Sequence, residues 1–257
     1  MSMYSKICGI DVSKDTLDYC LLPKSSPVDA PGQLAQISND TSSICQDFSQ
    51  RRFNDTLFVV ESTGTYSAKV LSILSNLQRP VFLVSPYKSK SFMLAEGVTS
   101  KNDRQAARSI AQMGRSLSLR LYKAPSEQMQ KRKQVLSTLR ALQKQQQMLS
   151  NQIHALEQYS IIDDAAINAL KATLKTVTEQ IDQLEQNLNP LQKEEAFQVK
   201  MKYATSIVGI GPKTAECLLI LTNNLQTFEH AGQVAKFLGI VNWSHKSGTS
   251  VRTKAGY

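Results

Sequence analysis

The chain is 257 residues long, enough for one large domain or two small ones. Hydrophobic residues make up 41% and charged residues 20%, which excludes wholesale disorder, collagen-like repeats and a membrane-embedded bundle. Lys and Arg number 30 against 21 Asp and Glu, a net charge of +9, and a surplus of that size favours a polyanionic partner through counterion release.

The four cysteines (Cys8, Cys20, Cys45, Cys217) are scattered without CxxC or Cys/His spacing, so neither a zinc site nor a disulfide framework is expected. No charged n-region with a long apolar core follows Met1, and no apolar run approaches the length that spans a bilayer. The expectation is a soluble, cytoplasmic protein.

Lys6–Val12 and Thr16–Leu22 are apolar runs joined by Ser13-Lys14-Asp15, the pattern of a β-hairpin. Residues 23–36 read as loop, leading to a third strand near Leu34–Ile37. Ser38–Thr41 resembles a helix start, with Ile44 and Phe48 on one face. Leu57–Val60 is a buried strand running into Glu61, Tyr66–Leu77 has helical spacing, and Val81–Val84 is a strand stopped by Pro86. A hairpin followed by β-α-β predicts a mixed sheet flanked by helices. Asp103–Met113 is helix-like.

A different regime begins near Pro125. Val135, Leu139, Leu142, Gln146, Leu149, Ile153 and Leu156 recur at alternating steps of four and three residues. After a break at Tyr159–Asp164 the pattern resumes through Ile167, Leu170, Leu174, Val177, Ile181, Leu184 and Leu188. This 3.5-residue period is the coiled-coil signature, compatible with a hairpin arm that also dimerises or with a purely intramolecular pair. Pro190 marks an end, and the remainder forms a second globular piece with apolar helices at Ala215–Leu221 and Val234–Phe237. The expected domains are 1–125, a helical arm at 126–190, and 191–257.

Three acids stand where elements begin or end: Asp11, Glu61 and Asp103. Carboxylates that converge repel one another unless a divalent cation, usually Mg2+ or Mn2+, neutralises them. Such ions promote phosphodiester transfer. Taken singly, each acid also reads as an ordinary cap or strand end. Arg115, Arg120, Lys123, Lys131, Arg132, Lys133, Arg140 and Lys144 crowd one stretch in which Glu127 is the sole acid, and Ala231–Tyr257 contains no acid at all. Such stretches suit a phosphate backbone, or form a solvated face. Trp243, His154, His230 and His245 show no metal spacing and read as packing or surface residues.

GIDVSKDTLD, VVESTGTY, EGVTSKNDRQAARSIA, VGIGPKTA, FLGIVN and HKSGTSVR occur in that order across nearly the whole chain. Together they resemble the DEDD-type transposases of bacterial insertion sequences, a group that includes Piv-type DNA invertases and bridge-RNA-guided recombinases. The resemblance implies an α/β RNase H-like (RuvC-like) N-terminal domain, an α-helical coiled-coil arm and a mostly α C-terminal transposase domain. It implies Mg2+ (or Mn2+) held by Asp11, Glu61 and Asp103. The partners it implies are double-stranded DNA, a structured guide RNA and further copies of the chain, as dimer or tetramer, at the nucleoid.

In the family a fourth acid lies three residues after the third; here that position is Ala106, whose methyl group cannot ligate a cation. Ser247 in HKSGTSVR matches the serine assigned as nucleophile, with Ser250 as the neighbouring alternative. Lys246, Arg252 and Lys254 flank it, and Lys101, Arg104, Arg115, Arg120, Lys131, Arg132 and Lys133 complete the candidate basic surface. Gly209, Gly211 and Lys213 resemble the turn of a helix-hairpin-helix, which presents backbone N–H groups to a phosphate, though a plain helix–helix turn reads the same. Family members continue beyond the point where this chain stops, so the C-terminal domain is expected to be incomplete. The alternative activity is a binding remnant or regulator that no longer cuts DNA. A weaker third is a nuclease using water as nucleophile.

Overall fold

Alternating apolar residues in Lys6–Val12 (β1) and Thr16–Pro23 (β2) pair as an antiparallel hairpin. Ser13 pins its turn, accepting the Thr16 backbone N–H on Oγ at 3.0 Å. The computed structural model describes residues 4–27, 30–98, 102–117, 121–188, 195–226 and 228–240, and the strand residues 246–247 and 251–252. It divides into two compact units, Met1–Ala124 and Pro125–Tyr257.

In the first unit, Gln33–Ser38 (β3) pairs antiparallel with β2, and Thr56–Glu61 (β4) lies parallel to β1. Val81–Val84 (β5) lies parallel to β4, giving a five-stranded mixed sheet in the order β3-β2-β1-β4-β5. Period-2 alternation sends Cys8, Ile10 and Val12 to one face and Ile7 to the other. The first face is covered by Thr41–Phe48 (α1) and Ser67–Asn76 (α2). Asp40 caps α1 by accepting the Ser43 N–H at 2.9 Å, which holds its carboxyl below the usual range. Tyr19, Phe48, Phe53 and Phe58 meet there edge-on or tilted, at centroid distances of 5.2–5.8 Å. Burial raises the Tyr19 hydroxyl and Cys8 thiol above their ordinary pKa values and pushes Cys20 up to about 11.

The second face is covered by Asp103–Ser116 (α4), whose Ala107, Ile110, Ala111 and Met113 pack on Ile7, Leu57 and Val59. Gly9 makes this possible. A Cβ there would stand 2.2 Å from the Ala111 nitrogen and 2.4 Å from the Ala107 oxygen, so the helix rests directly on β1. Between β5 and α4 runs Pro86–Ala95 (α3), a helix absent from the sequence reading, which treats Pro86 as a stop. Ser85 is its N-cap and Pro86 occupies the first turn, where proline is favoured.

In the second unit, Glu127–Leu156 (α5) and Asp164–Leu188 (α6) fold back on each other. Leu139 and Ile181 are the buried centre of the seam, with Val135, Leu142, Val177 and Leu184 around them. Gln146 donates to Thr178 Oγ1 at 2.9 Å, so the polar seam position has its partner inside the chain. Glu195–Thr205 (α7) and Pro212–Leu221 (α8) pack against the start of α5, where Met129, Phe197, Leu219 and Ile220 are buried together. Ala231–Phe237 (α9) follows, and Lys246–Ser247 (β6) pairs antiparallel with Val251–Arg252 (β7). No helix among the described residues is long and apolar enough to cross a membrane.

Candidate active site

The parallel register pairs Ile10 with Val60, which makes Asp11 and Glu61 the next neighbours at the carboxyl ends of β1 and β4. Strand alternation turns both toward the α4 face, opposite the face taken by Ile10 and Val60. Glu61 is 5% exposed, and Ser89 Oγ on α3 donates to its Oε2 at 2.5 Å. Across the hairpin, Asp11 stands opposite Asp18, itself 3% exposed and accepting from Gln36 Nε2 at 2.9 Å. Three carboxylates thus lie in a row on β2, β1 and β4. Sequence reasoning overlooked Asp18, although the hairpin register places it directly opposite Asp11 once the turn at Ser13–Asp15 is assigned.

Asp103 is the first residue of α4 and is exposed. Ala107 and Ala111 sit over Gly9 and Gly114 over Ile7 and Val59, so α4 runs antiparallel to β1. Asp103 lies one turn, about 6 Å, beyond Ala107, and Asp11 lies two residues, about 7 Å, beyond Gly9. All three expected acids therefore reach the same end of the sheet. They do not close into one ligand set: among the described residues no three His, Cys, Asp or Glu are grouped to hold a metal ion. The pair Asp11/Glu61 nevertheless has the donor chemistry of Mg2+, which takes one or two carboxylates and fills its other positions with water and phosphate oxygens. Ala106, at the expected fourth position, is completely buried.

The expected basic surface is partly redrawn. Arg132 is 1% exposed, its guanidinium 4.2 Å over the ring of Phe197, so it belongs to the base of the arm and not to a nucleic-acid surface. The i, i+3 and i, i+4 spacing of Met129, Arg132 and Leu136 puts it on the buried stripe. Arg115 is half-buried and donates to Ser26 O at 2.7 Å and Pro27 O at 3.2 Å, a tie on the β2–β3 connection. Lys131 pairs with Glu127 at 2.6 Å and Lys213 with Glu185 at 3.2 Å, both on the surface. Arg104 and Lys133 are exposed. Gly209 has φ +90°, and Gly211 is the N-cap of α8, so the α7–α8 connection is a tight glycine turn. Ser247 lies in β6 opposite Val251, with Lys246 opposite Arg252. Lys101, Arg120 and Lys254 lie outside the described residues.

A transposase family model matches residues 8–161, and a second, the transposase IS116/IS110/IS902 family, matches residues 201–256. The chain belongs to the IS110-type transposases. It is 25% identical to the pilin gene-inverting protein of Moraxella bovis and 23% identical to that of Moraxella lacunata. Each alignment takes in 96% of this chain and 75% of the relative. Among solved structures, Thermus thermophilus RuvC in complex with a Holliday junction substrate is 13% identical, with a TM-score of 0.35. That similarity covers 46% of the transposase chain and 100% of RuvC.

Proposed function

We propose that this IS110-type chain is the transposase of an insertion sequence, a site-specific recombinase that breaks and rejoins DNA strands, with that activity impaired here by Ala106 at the fourth acidic position. The observation that carries this reading is the pair Asp11 and Glu61, side by side at the ends of two parallel strands in a transposase-family chain. The strand order, with β2 alone reversed, supports an RNase H-like first unit. In this reading Asp11 and Glu61 hold Mg2+ or Mn2+, and Asp103 at the head of α4 is the third acid. A bound cation supplies charge neutralisation at the reacting phosphate.

Ser247 is the nucleophile. Its oxygen forms a bond to phosphorus, the bond from phosphorus to a sugar oxygen breaks, and that sugar oxygen leaves with a proton as a hydroxyl. Lys246, Arg252 and Lys254 flank the attacking serine. Arg104, Lys131 and Lys133 follow the backbone, and the turn at Gly209 and Gly211 offers N–H groups to a phosphate, with Lys213 exchanging Glu185 for it. The partners in this reading are double-stranded DNA, a structured guide RNA and further copies of the chain, since two DNA ends must be joined.

A methyl group at position 106, where the family carries its fourth acid, favours a second reading, in which the chain binds DNA or RNA without cutting it. A denaturing gel for a covalent protein–DNA adduct separates the two. Labelled duplexes carrying the element junction are incubated with Mg2+ and RNA transcribed from its flanks. The proteins compared are the chain itself, Ala106→Asp, and Ala106→Asp with Ser247→Ala. An adduct gained with Asp and lost with Ala at 247 establishes the serine mechanism. Tight, salt-sensitive binding with no adduct in any variant establishes the binding reading.

A further inference from the structure

We propose that Ser89 is a positioning residue for the acidic pair, its hydroxyl holding one oxygen of Glu61 so that the other is presented to a divalent cation. This rests on the reading of Asp11 and Glu61 as a cation site.

The contact has the marks of a built second layer. Ser89 is 2% exposed and Glu61 5%, and their 2.5 Å separation falls in the range of O–H···O⁻ bonds to an ionised carboxylate. The hydroxyl carries a single proton. Its other acceptor, Pro86 O, is 3.0 Å away and uncharged, so the carboxylate takes the stronger bond.

The framework behind the serine is closed on itself. Glu61 pairs in register with Val84, and Ser62 N donates to Val84 O at 2.8 Å. Ser85 then caps α3 and sets Ser89 one turn into the helix, on the side where Met93 is also buried. The chain leaves the Glu61 strand pair and returns to Glu61 within a few residues. Serine is a mediocre residue for a helix interior, and nothing in the apolar packing of α3 calls for a hydroxyl at this place. A carboxylate left to rotate would have to be ordered by the cation itself, at the expense of affinity.

The test is Mn2+ binding to the full chain, followed by the loss of free-Mn2+ electron paramagnetic resonance signal, with thermal unfolding run alongside. The proteins are the parent, Asp11→Asn, Ser89→Ala, and the near-isosteric pair Ser89→Thr and Ser89→Val. We expect Asp11→Asn to abolish the site, and Ala and Val at 89 to weaken Mn2+ binding by about tenfold or more. Thr, which restores the hydroxyl, is expected to bind as the parent does. Should Ser89→Ala unfold, the Thr/Val pair decides the matter, because the two share a shape and differ in the hydroxyl. Equal affinity in Thr and Val, with binding still abolished by Asp11→Asn, overturns the role of Ser89 alone. An identical Mn2+ response in parent and Asp11→Asn overturns the cation site, and the role of Ser89 with it.

Discussion

Substituting Gly9 by alanine tests how the fold delivers α4 to the acidic end of the sheet. The added Cβ would stand 2.2 Å from Ala111 N, 2.4 Å from Ala107 O and 2.7 Å from Ala111 Cα. All three atoms are backbone, so no rotamer change relieves them. Regaining ordinary contact near 3.5 Å requires α4 to lift by about 1 Å, which forfeits a quarter to a half of each dispersion contact it makes on the sheet. Overpacking of this kind costs about 1–3 kcal/mol, and a backbone clash belongs at the upper end. At about 4 °C per kcal/mol for a unit of this size, the melting temperature should fall by roughly 10 °C. The same lift moves Asp103 away from Asp11, so Mn2+ affinity should fall as well. Gly232→Ala in α9 is the control: its added Cβ meets nothing within 4 Å, and the exchange should be neutral or stabilising by up to about 1 kcal/mol. A Gly9→Ala protein melting within a degree of the parent would mean that α4 is not seated on Gly9.

The redrawn basic surface separates two neighbours: Arg132→Ala should cost about 3 kcal/mol in urea unfolding through lost packing on Phe197. Lys133→Ala should leave stability intact, weaken DNA binding and lower the salt slope by about one, and the reverse pattern would restore Arg132 to the surface. Cys8 and Cys20 titrate higher in the fold than the ordinary thiol value of 9.0, with Cys20 at about 11. Their contribution is whole below pH 9 and is lost as pH rises through the folded values, because the unfolded chain releases those protons first. Unfolding free energy should therefore decline between pH 9 and 11, and a Cys20→Ala protein with an equally steep decline would contradict this. Asp18→Asn should stabilise the cation-free chain by up to about 1 kcal/mol by removing a like charge opposite Asp11. A loss of stability in chemical denaturation would mean that the Asp18–Gln36 bond outweighs the repulsion.

What could be read in advance follows physical lines. The hairpin and the parallel strands were legible because each buries a distinct set of residues, as Cys8 and Ile10 oppose Ile7. The α5–α6 seam was legible because its period persists across Val135–Leu156 and Ile167–Leu188. That Gln146 meets Thr178 within the chain was not, since a heptad pattern is silent on which helix supplies the partner. Helix α3 was hidden behind Pro86, read as a terminator although Ser85 before it makes a helix start. Arg132 was hidden by its charge: the run of basic residues drew attention away from the stripe it shares with Met129 and Leu136. Ser89 carried no signal, because its meaning depends on a strand 28 residues earlier in the chain.

Position 106 ties stability to chemistry. Ala106 and Ala107 are both completely buried, on the side of α4 that Ile110 continues. A carboxylate at 106 would have no exposure and would stand one turn from Asp103, so it would be charged at a cost of several kcal/mol unless paired. A cation is the natural partner, and an acid here makes the fold depend on it. Alanine frees the fold from that dependence and gives up a ligand. Ala106→Asp should therefore melt below the parent in EDTA and recover as Mg2+ is added, by about 2.7 kcal/mol when the ion reaches a hundred times its dissociation constant. The parent, with two carboxylates in register and a weaker site, should respond less. Differential scanning fluorimetry across a Mg2+ series reads both. If Ala106→Asp melts lower and stays lower at every Mg2+ concentration, position 106 does not face the acidic pair, and alanine there serves the packing of α4 alone.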